Sequence, residues 1–410
     1  MNDPSDPNNP LQGLLGDLLK MIGGGPGAGA GASPWFEAAK ALAHGVATDN
    51  APEPNADPIQ RIKLEELSRV AELHVTNTTG LSVTNGSHPL TFTSVGRGAW
   101  ALKALDAWRP YLQRMVDAQE TSGGGASLAS LGDLGMDLDA SQMGGGIGDL
   151  LGQFASTMGP VMLGLQFGSA AGHLAQRALG QYALPLPWPA SDELVVVPEN
   201  IAVFAEDWSL PLDETELWVC IRELTAHAVL SLPHVAARLR ELLEASTLAA
   251  VEAQAGIAQK LGESSDPDAL QNILSDPESL LADLLTPGQQ HTSAQLTAIT
   301  TAFGGYVDHV TGTIAASTTG SWAALGEAWY RYRIEDAKGE QAAGGLFGLD
   351  LSREQVDRGA AFTRGVLERA GEEGLARLWT SARTLPTPAE LDAPGLWLER
   401  IDLPPEDADS

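Results

Sequence analysis

Residues 218–234 read Trp218-Val-Cys-Ile-Arg-Glu-Leu-Thr-Ala-His-Ala-Val-Leu-Ser-Leu-Pro-His234, an almost unbroken apolar run with one Arg, one Glu and one His in its middle. Leu217, Ile221, Leu224, Ala228 and Leu232 recur at three- and four-residue spacing, the period of a helix with a face against a core. Just ahead, Asp213-Glu-Thr-Glu216 places an acceptor three residues before a Glu, the pattern of a capping box, so the helix is expected over 214–232. Glu223 and His227 are four apart and share a face. They read either as an ion pair or hydrogen bond on a partly buried helix or as a catalytic dyad.

Outward from this helix, Leu194-Val-Val-Val197 before Pro198 is a β-branched run and the one convincing strand signal. A helical stretch follows from Asn200 to Trp208, and Pro211 breaks it. From Leu150 to Gln176 there is no Asp, Glu, Lys or Arg. Gln153, Ser156, Pro160, Gln166 and His173 are expensive in lipid, so this segment reads as a buried helix and not as a membrane span. Gly164, Gly168 and Gly172 strip one of its faces of side chains and let another helix approach closely. Two readings follow, a homodimer seam or a tight crossing within one chain. Further back, Asp57-Pro58 supplies a cap and a proline at the first helical position, with Ile59, Ile62, Leu67, Val70 and Leu73 as the apolar stripe. Trp100, Leu105, Trp108, Leu112 and Met115 mark another helix. Downstream, helices are expected over 233–262, 292–316 and 321–338, with a pair over 351–379 broken at Gly371. Trp322, Trp329, Tyr330 and Tyr332, interleaved with Arg331 and Arg333, read as packing or as a cation–π recognition surface.

Composition divides the chain into a Gly/Pro-rich disordered arm (1–56), an N-terminal helical region (57–122), an acidic Gly-rich loop (123–148), a core (149–340) and a C-terminal helical region with an acidic tail (341–410). With 24 Lys plus Arg against 53 Asp plus Glu the net charge is −29, which repels phosphate backbones and anionic lipid. Nucleic acid and membranes are therefore excluded as partners, and basic proteins or peptides are favoured. Cys220 is the single cysteine, so the chain forms no internal disulfide and carries no thiolate cluster; with no basic region opening the sequence, a cytoplasmic location is expected. Walker, Rossmann and GxSxG signatures are absent.

The stretch 218–234 resembles the metal-binding helix of a bacterial family of zincin-like proteins, the zinc-dependent metalloproteases or provisionally assigned hydrolases. The likeness extends in order through Leu163-Gly-Leu-Gln-Phe-Gly168, Val197-Pro-Glu-Asn-Ile-Ala-Val-Phe-Ala-Glu206, Gly305-Tyr-Val-Asp308, Gly348-Leu-Asp-Leu351 and Leu378-Trp379 with Leu385-Pro-Thr387, over roughly residues 60 to 402. It implies a mainly α, zincin-like metalloprotease-type helical domain with a small β component. It also implies an HExxH helix, in which two His bind zinc and the Glu polarises the metal-bound water.

Here the motif departs from that pattern. Arg222 stands at the first His position, Glu223 keeps the general-base position, and Ala226 replaces the second His, with His227 one residue late. A one-residue displacement turns a side chain by about 100° around the helix. The third ligand position implied by the resemblance is Gly304. The expectation is therefore a degenerate, non-catalytic scaffold or protein-binding module with no metal and no cofactor, Glu223, Arg222 and His227 being its site residues. The alternative is a working metal-dependent hydrolase with rearranged ligands drawn from Glu223, His227, His234 or His309. Tyr306, Asp308 and His309 are expected on the helix surface or in packing, and His234 at a turn.

Overall fold

The computed structural model describes residues 33–53, 57–84, 90–121, 145–263, 286–335 and 338–404. Within these, thirteen α-helices and a two-stranded parallel sheet follow one another as α1 (Pro34–Ala47), α2 (Pro58–Thr79), β1 (Thr91–Ser94), α3 (Arg97–Thr121), α4 (Gly145–Ala175), β2 (Glu193–Val196), α5 (Pro198–Asp207), α6 (Leu212–Leu230), α7 (Pro233–Glu263), α8 (Pro287–Thr318), α9 (Trp322–Ile334), α10 (Lys338–Leu346), α11 (Arg353–Ala376), α12 (Pro388–Asp392) and α13 (Pro394–Asp402). The mainly helical class with a small sheet is the one expected. No described helix is long and apolar enough to cross a membrane. Residues 1–32 and 54–56 of the expected arm, residues 123–144 of the acidic loop, residues 264–285 and the acidic tail from 405 lie outside the described residues.

Helix α6 is the centre of the fold. From Trp218 to Leu230 every residue is buried, and α2, α5 and α8 pack around it. A helix buried on all sides cannot display an amphipathic stripe, and its polar residues must find partners inside the protein. The expected capping box does not form: Pro211 is the N-cap and makes no side-chain bond, Thr215 Oγ1 turns back to the Pro211 carbonyl at 2.9 Å, and buried Glu216 is ion-paired with Lys63. Tertiary pairing with α2 takes the side chain that local capping would have used.

Helix α4 crosses α1 at contact distance. A Cβ added at Gly164 would lie 2.3 Å from the Trp35 carbonyl oxygen, at Gly168 2.4 Å from that of Ala39, and at Gly172 2.9 Å from that of Ala43. The glycine stripe is thus occupied within the chain, and the homodimer seam placed on it gives way to an internal crossing. The same contact corrects the extent of the arm. Residues 34–47 form a helix with Trp35, Phe36, Ala39, Ala43 and Ala47 buried, because its small residues let α4 come close enough to cover the aromatic pair.

Two further expectations are corrected. Of the stripe assigned to α2 only Leu67 packs on the core, whereas Ile59 is 76%, Ile62 52%, Val70 44% and Leu73 60% exposed; the buried face is Leu64, Ser68, Ala71 and Val75. Small residues there let α2 lie close to α6. The strand at 194–197 has a partner that the sequence did not announce, Thr91–Ser94, paired in parallel from Thr91↔Glu193 to Ser94↔Val196. At Gly371 the chain takes φ 63°, the left-handed turn that breaks α11 where the helix pair was expected to break. One hydrophobic cluster runs from Trp35 to Ile401 and joins described residues of the expected arm, the N-terminal helical region, the core and the C-terminal region.

Candidate functional site

The segment after α4 brings backbone to the α6 carboxylate. Asn200 Nδ2 donates to the carbonyls of Ala175 and Ala178, both at 2.8 Å, and so satisfies the open C-terminal end of α4. Beyond it, Val197 N bonds to the Leu179 carbonyl at 3.0 Å and Gly180 forms an antiparallel bridge with Val196, fixing residues 179–182 along the end of β2. Trp100 Nε1 donates to the Gly180 carbonyl at 2.9 Å and pins the segment from the other side. Tyr182 N then donates to Glu223 Oε2 at 2.9 Å. A Cβ at Gly180 would stand 2.5 Å from Glu223 Cδ, so only glycine leaves room for this carboxyl.

Burial pushes the Glu223 carboxyl up to about 7, although the Tyr182 amide, the Arg222 charge and the Gln181 amide all favour its ionised form. Glu223 and His227 share a face as expected but do not bond to each other. Both hold Tyr182, Glu223 through its amide and His227 through its hydroxyl, with Tyr182 Oη 2.8 Å from His227 Nδ1. Burial drives His227 down to about 4, with the Val83 carbonyl acting against it, so the ring is neutral at physiological pH. Burial and the Glu223 charge push the Tyr182 phenol up, and burial first, then the charges of Glu216 and Glu223, pushes the Cys220 thiol up and leaves it inert.

Arg222, one residue earlier, enters a different environment. Its Nη1 donates to Asp308 Oδ1 at 3.0 Å, and Arg333 Nη2 donates to the other oxygen, Oδ2, at 2.5 Å. Both guanidiniums lie over the Trp329 ring, at 4.2 Å and 5.2 Å. Burial lowers Arg222 to about 10, with Asp308 opposing and Arg333 adding to the fall, and it stays charged at neutral pH. A cavity of about 120 Å³ opens beside this cluster, bordered by Arg222, Glu223, Gly304, Asp308, Trp329 and Arg333, with Arg177 and Glu340 on another wall. Asp308 is the hub that joins α6, α8 and α9, a larger role than surface packing. Trp329 and Tyr332 carry cation–π contacts, Tyr332 under Arg177 at 4.1 Å.

The remaining candidates lie apart from this cavity. His309 Nε2 pairs with Glu372 at 3.0 Å, His234 Nε2 is 3.0 Å from the Trp379 carbonyl oxygen, and Tyr306 packs on Trp379. Among the described residues no group of three or more His, Cys, Asp or Glu is placed to hold a metal ion. The donor set itself does not fit zinc. Where the resemblance would put the two His of the motif stand a permanent guanidinium and a methyl, and His227 turns its Nδ1 to the Tyr182 hydroxyl. At Gly304, bordering the cavity, an added Cβ would meet nothing within 4 Å, so the space of a third ligand is vacant of side chain. Tyr182 and Gly180 were not legible as site residues, since neither belongs to a motif; the only sequence signal was their place just after the Gly-rich helix.

The profile of zincin-like metallopeptidases matches residues 35–398, and the chain belongs to that family. Its fold is similar to that of a crystal structure from Chloroflexus aurantiacus, provisionally described as a hydrolase with a novel fold. The two align with a TM-score of 0.61 at 22% identity, covering 90% of this chain and 99% of that one. No curated protein matches the sequence.

Proposed function

We propose that this chain is a non-catalytic member of the zincin-like metallopeptidase family, retaining the cleft as a binding module for a protein or peptide partner without zinc chemistry. One observation carries the reading: the Arg222 guanidinium, bonded to Asp308 and stacked on Trp329, stands at the position of the first zinc-binding His. A fixed cation there repels a metal ion and supplies a positive charge of its own. The acidic chain would favour basic segments in the partner, and a cytoplasmic location agrees with its one buried thiol.

The rival is a working hydrolase with rearranged ligands, and Glu223 favours it. A buried carboxyl that titrates near neutrality beside a cavity has the properties of a general acid–base. Elemental mass spectrometry on untagged protein, dialysed and then challenged with zinc, separates the two. The proposal expects no stoichiometric metal and no peptide hydrolysis. Stoichiometric zinc that disappears in Glu223→Ala or His227→Ala would establish the rival.

A further inference from the structure

We propose that the cleft receives the free C-terminal carboxylate of a peptide, with the carboxylate at Arg222 and Arg333 and a backbone N–H of the peptide at Glu340. The inference rests on the non-catalytic reading, in which Arg222 is a standing cation, and names the ligand of that same cavity.

Asp308 is one carboxylate shared by two guanidiniums, so the Arg222–Asp308–Arg333 cluster keeps one positive charge in excess. Arg333 Nε is a buried donor with no acceptor among the described residues. A buried N–H on a charged group is costly to leave unbonded, and the wall is therefore short of one anionic acceptor. Trp329 lies beneath both guanidiniums and orients them toward the shared Asp308 wall of the cavity.

On the adjoining wall Arg177 Nε bonds to Glu340 Oε1 and Arg177 Nη2 to the Tyr332 carbonyl, each at 2.5 Å. Glu340 is thereby tied to the residue next to Arg333. Its other oxygen, Oε2, is buried and has no donor among the described residues. The same cavity thus holds one unmet donor and one unmet acceptor, both on charged groups, and a peptide end supplies the complement of each. Glu223 and Asp350 also border the cavity, but they already accept bonds from the chain, Glu223 from the Tyr182 amide and Asp350 from the Ser352 amide and the Gln355 side chain. Leu179, Phe303 and Val356 give the lining an apolar part that suits an aliphatic terminal side chain. At about 120 Å³ the cavity suits a chain end and not a folded surface.

The test is affinity selection with mass spectrometric readout on the full-length protein, using pooled tripeptides as free acids and the same pool as C-terminal amides. Free acids should be retained at least tenfold over amides. Arg333→Gln and Glu340→Gln, each checked for folding by urea unfolding, should cut that retention about tenfold. Equal retention of acids and amides by the unsubstituted protein overturns the proposal, as does a preference that survives both substitutions. Hydrolysis of the pooled peptides would break the non-catalytic reading while leaving an acid preference standing. A metal-free, inert protein with no acid preference would break this inference alone.

Discussion

Arg222 and Glu223 are consecutive on one buried helix, yet the two regions they enter are held by different means. The Arg222 side is charge against charge across three helices, with an aromatic ring below and a cavity beside it. The Glu223 side is carboxylate against backbone amide, closed by the absence of a side chain at Gly180 and by Tyr182 clamped at both ends. In the first region burial leaves Arg222 charged at neutral pH, bonded to Asp308. In the second, which borders the same cavity, burial moves the titrations of Glu223 and His227 toward the neutral forms. The difference teaches that two consecutive residues of one buried helix can be held by opposite means, a guanidinium by a shared carboxylate and a carboxyl by a backbone amide.

The contrast breaks most sharply at Gly180. Substitution by Ala should destabilise the protein by roughly 3 kcal/mol, because the new methyl overlaps the Glu223 carboxyl and forces it off the Tyr182 amide. Urea unfolding measures this, and the Gly180→Ala, Glu223→Ala double variant should recover part of the loss. Additive losses would mean that the two residues are not in conflict.

Of comparable size at high pH is the effect of Glu223→Gln. The folded carboxyl holds its proton up to about 7 against an ordinary value of 4.5, so its contribution to stability is full below about 4.5 and is lost as pH rises through 7. The variant should match the original protein at pH 4.5 and exceed it by roughly 3 kcal/mol at pH 8. His227 has the opposite sign: its value falls from 6.5 to about 4, so its contribution is present above 6.5 and is lost as pH drops through 4. The two offset each other between about 4.5 and 6.5. A difference between variant and original that does not change with pH would show that Glu223 is ionised throughout.

The smallest effect sharpens the open side. Gly304→Ala places a methyl where nothing lies within 4 Å and should stabilise α8 by up to about 1 kcal/mol. Gly305→Ala, one position on, would put its Cβ 2.2 Å from the Gly359 carbonyl oxygen and should lower the unfolding midpoint markedly. Similar responses from the two glycines would contradict the open wall beside Arg222.

Much of this architecture could be read in advance where local pattern and tertiary demand agree. The apolar run around Trp218, the β-branched Leu194–Val197 and the break at Gly371 are of that kind. The reading failed where packing chose a less apolar face. On α2 the isoleucines were the stronger signal, but Leu64, Ser68, Ala71 and Val75 are the residues that let α6 come near. The glycine-rich composition before residue 57 concealed α1, whose alanines matter through what they leave room for. At the site, the motif singled out Arg222 and Glu223, which the structure places on the border of one cavity. Asp308 and Arg333 reach Arg222 from α8 and α9, and Tyr182 reaches Glu223 from an irregular segment, so no spacing along the chain could reveal them.

The α1–α4 crossing also constrains how the protein comes into being. The Trp35 ring meets Phe167 of α4 only when that residue has been made, more than a hundred residues later. At ordinary synthesis rates the first helix waits roughly 6 to 25 seconds on the ribosome before its partner exists. Throughout that interval its aromatic face belongs to whatever binds nascent chains.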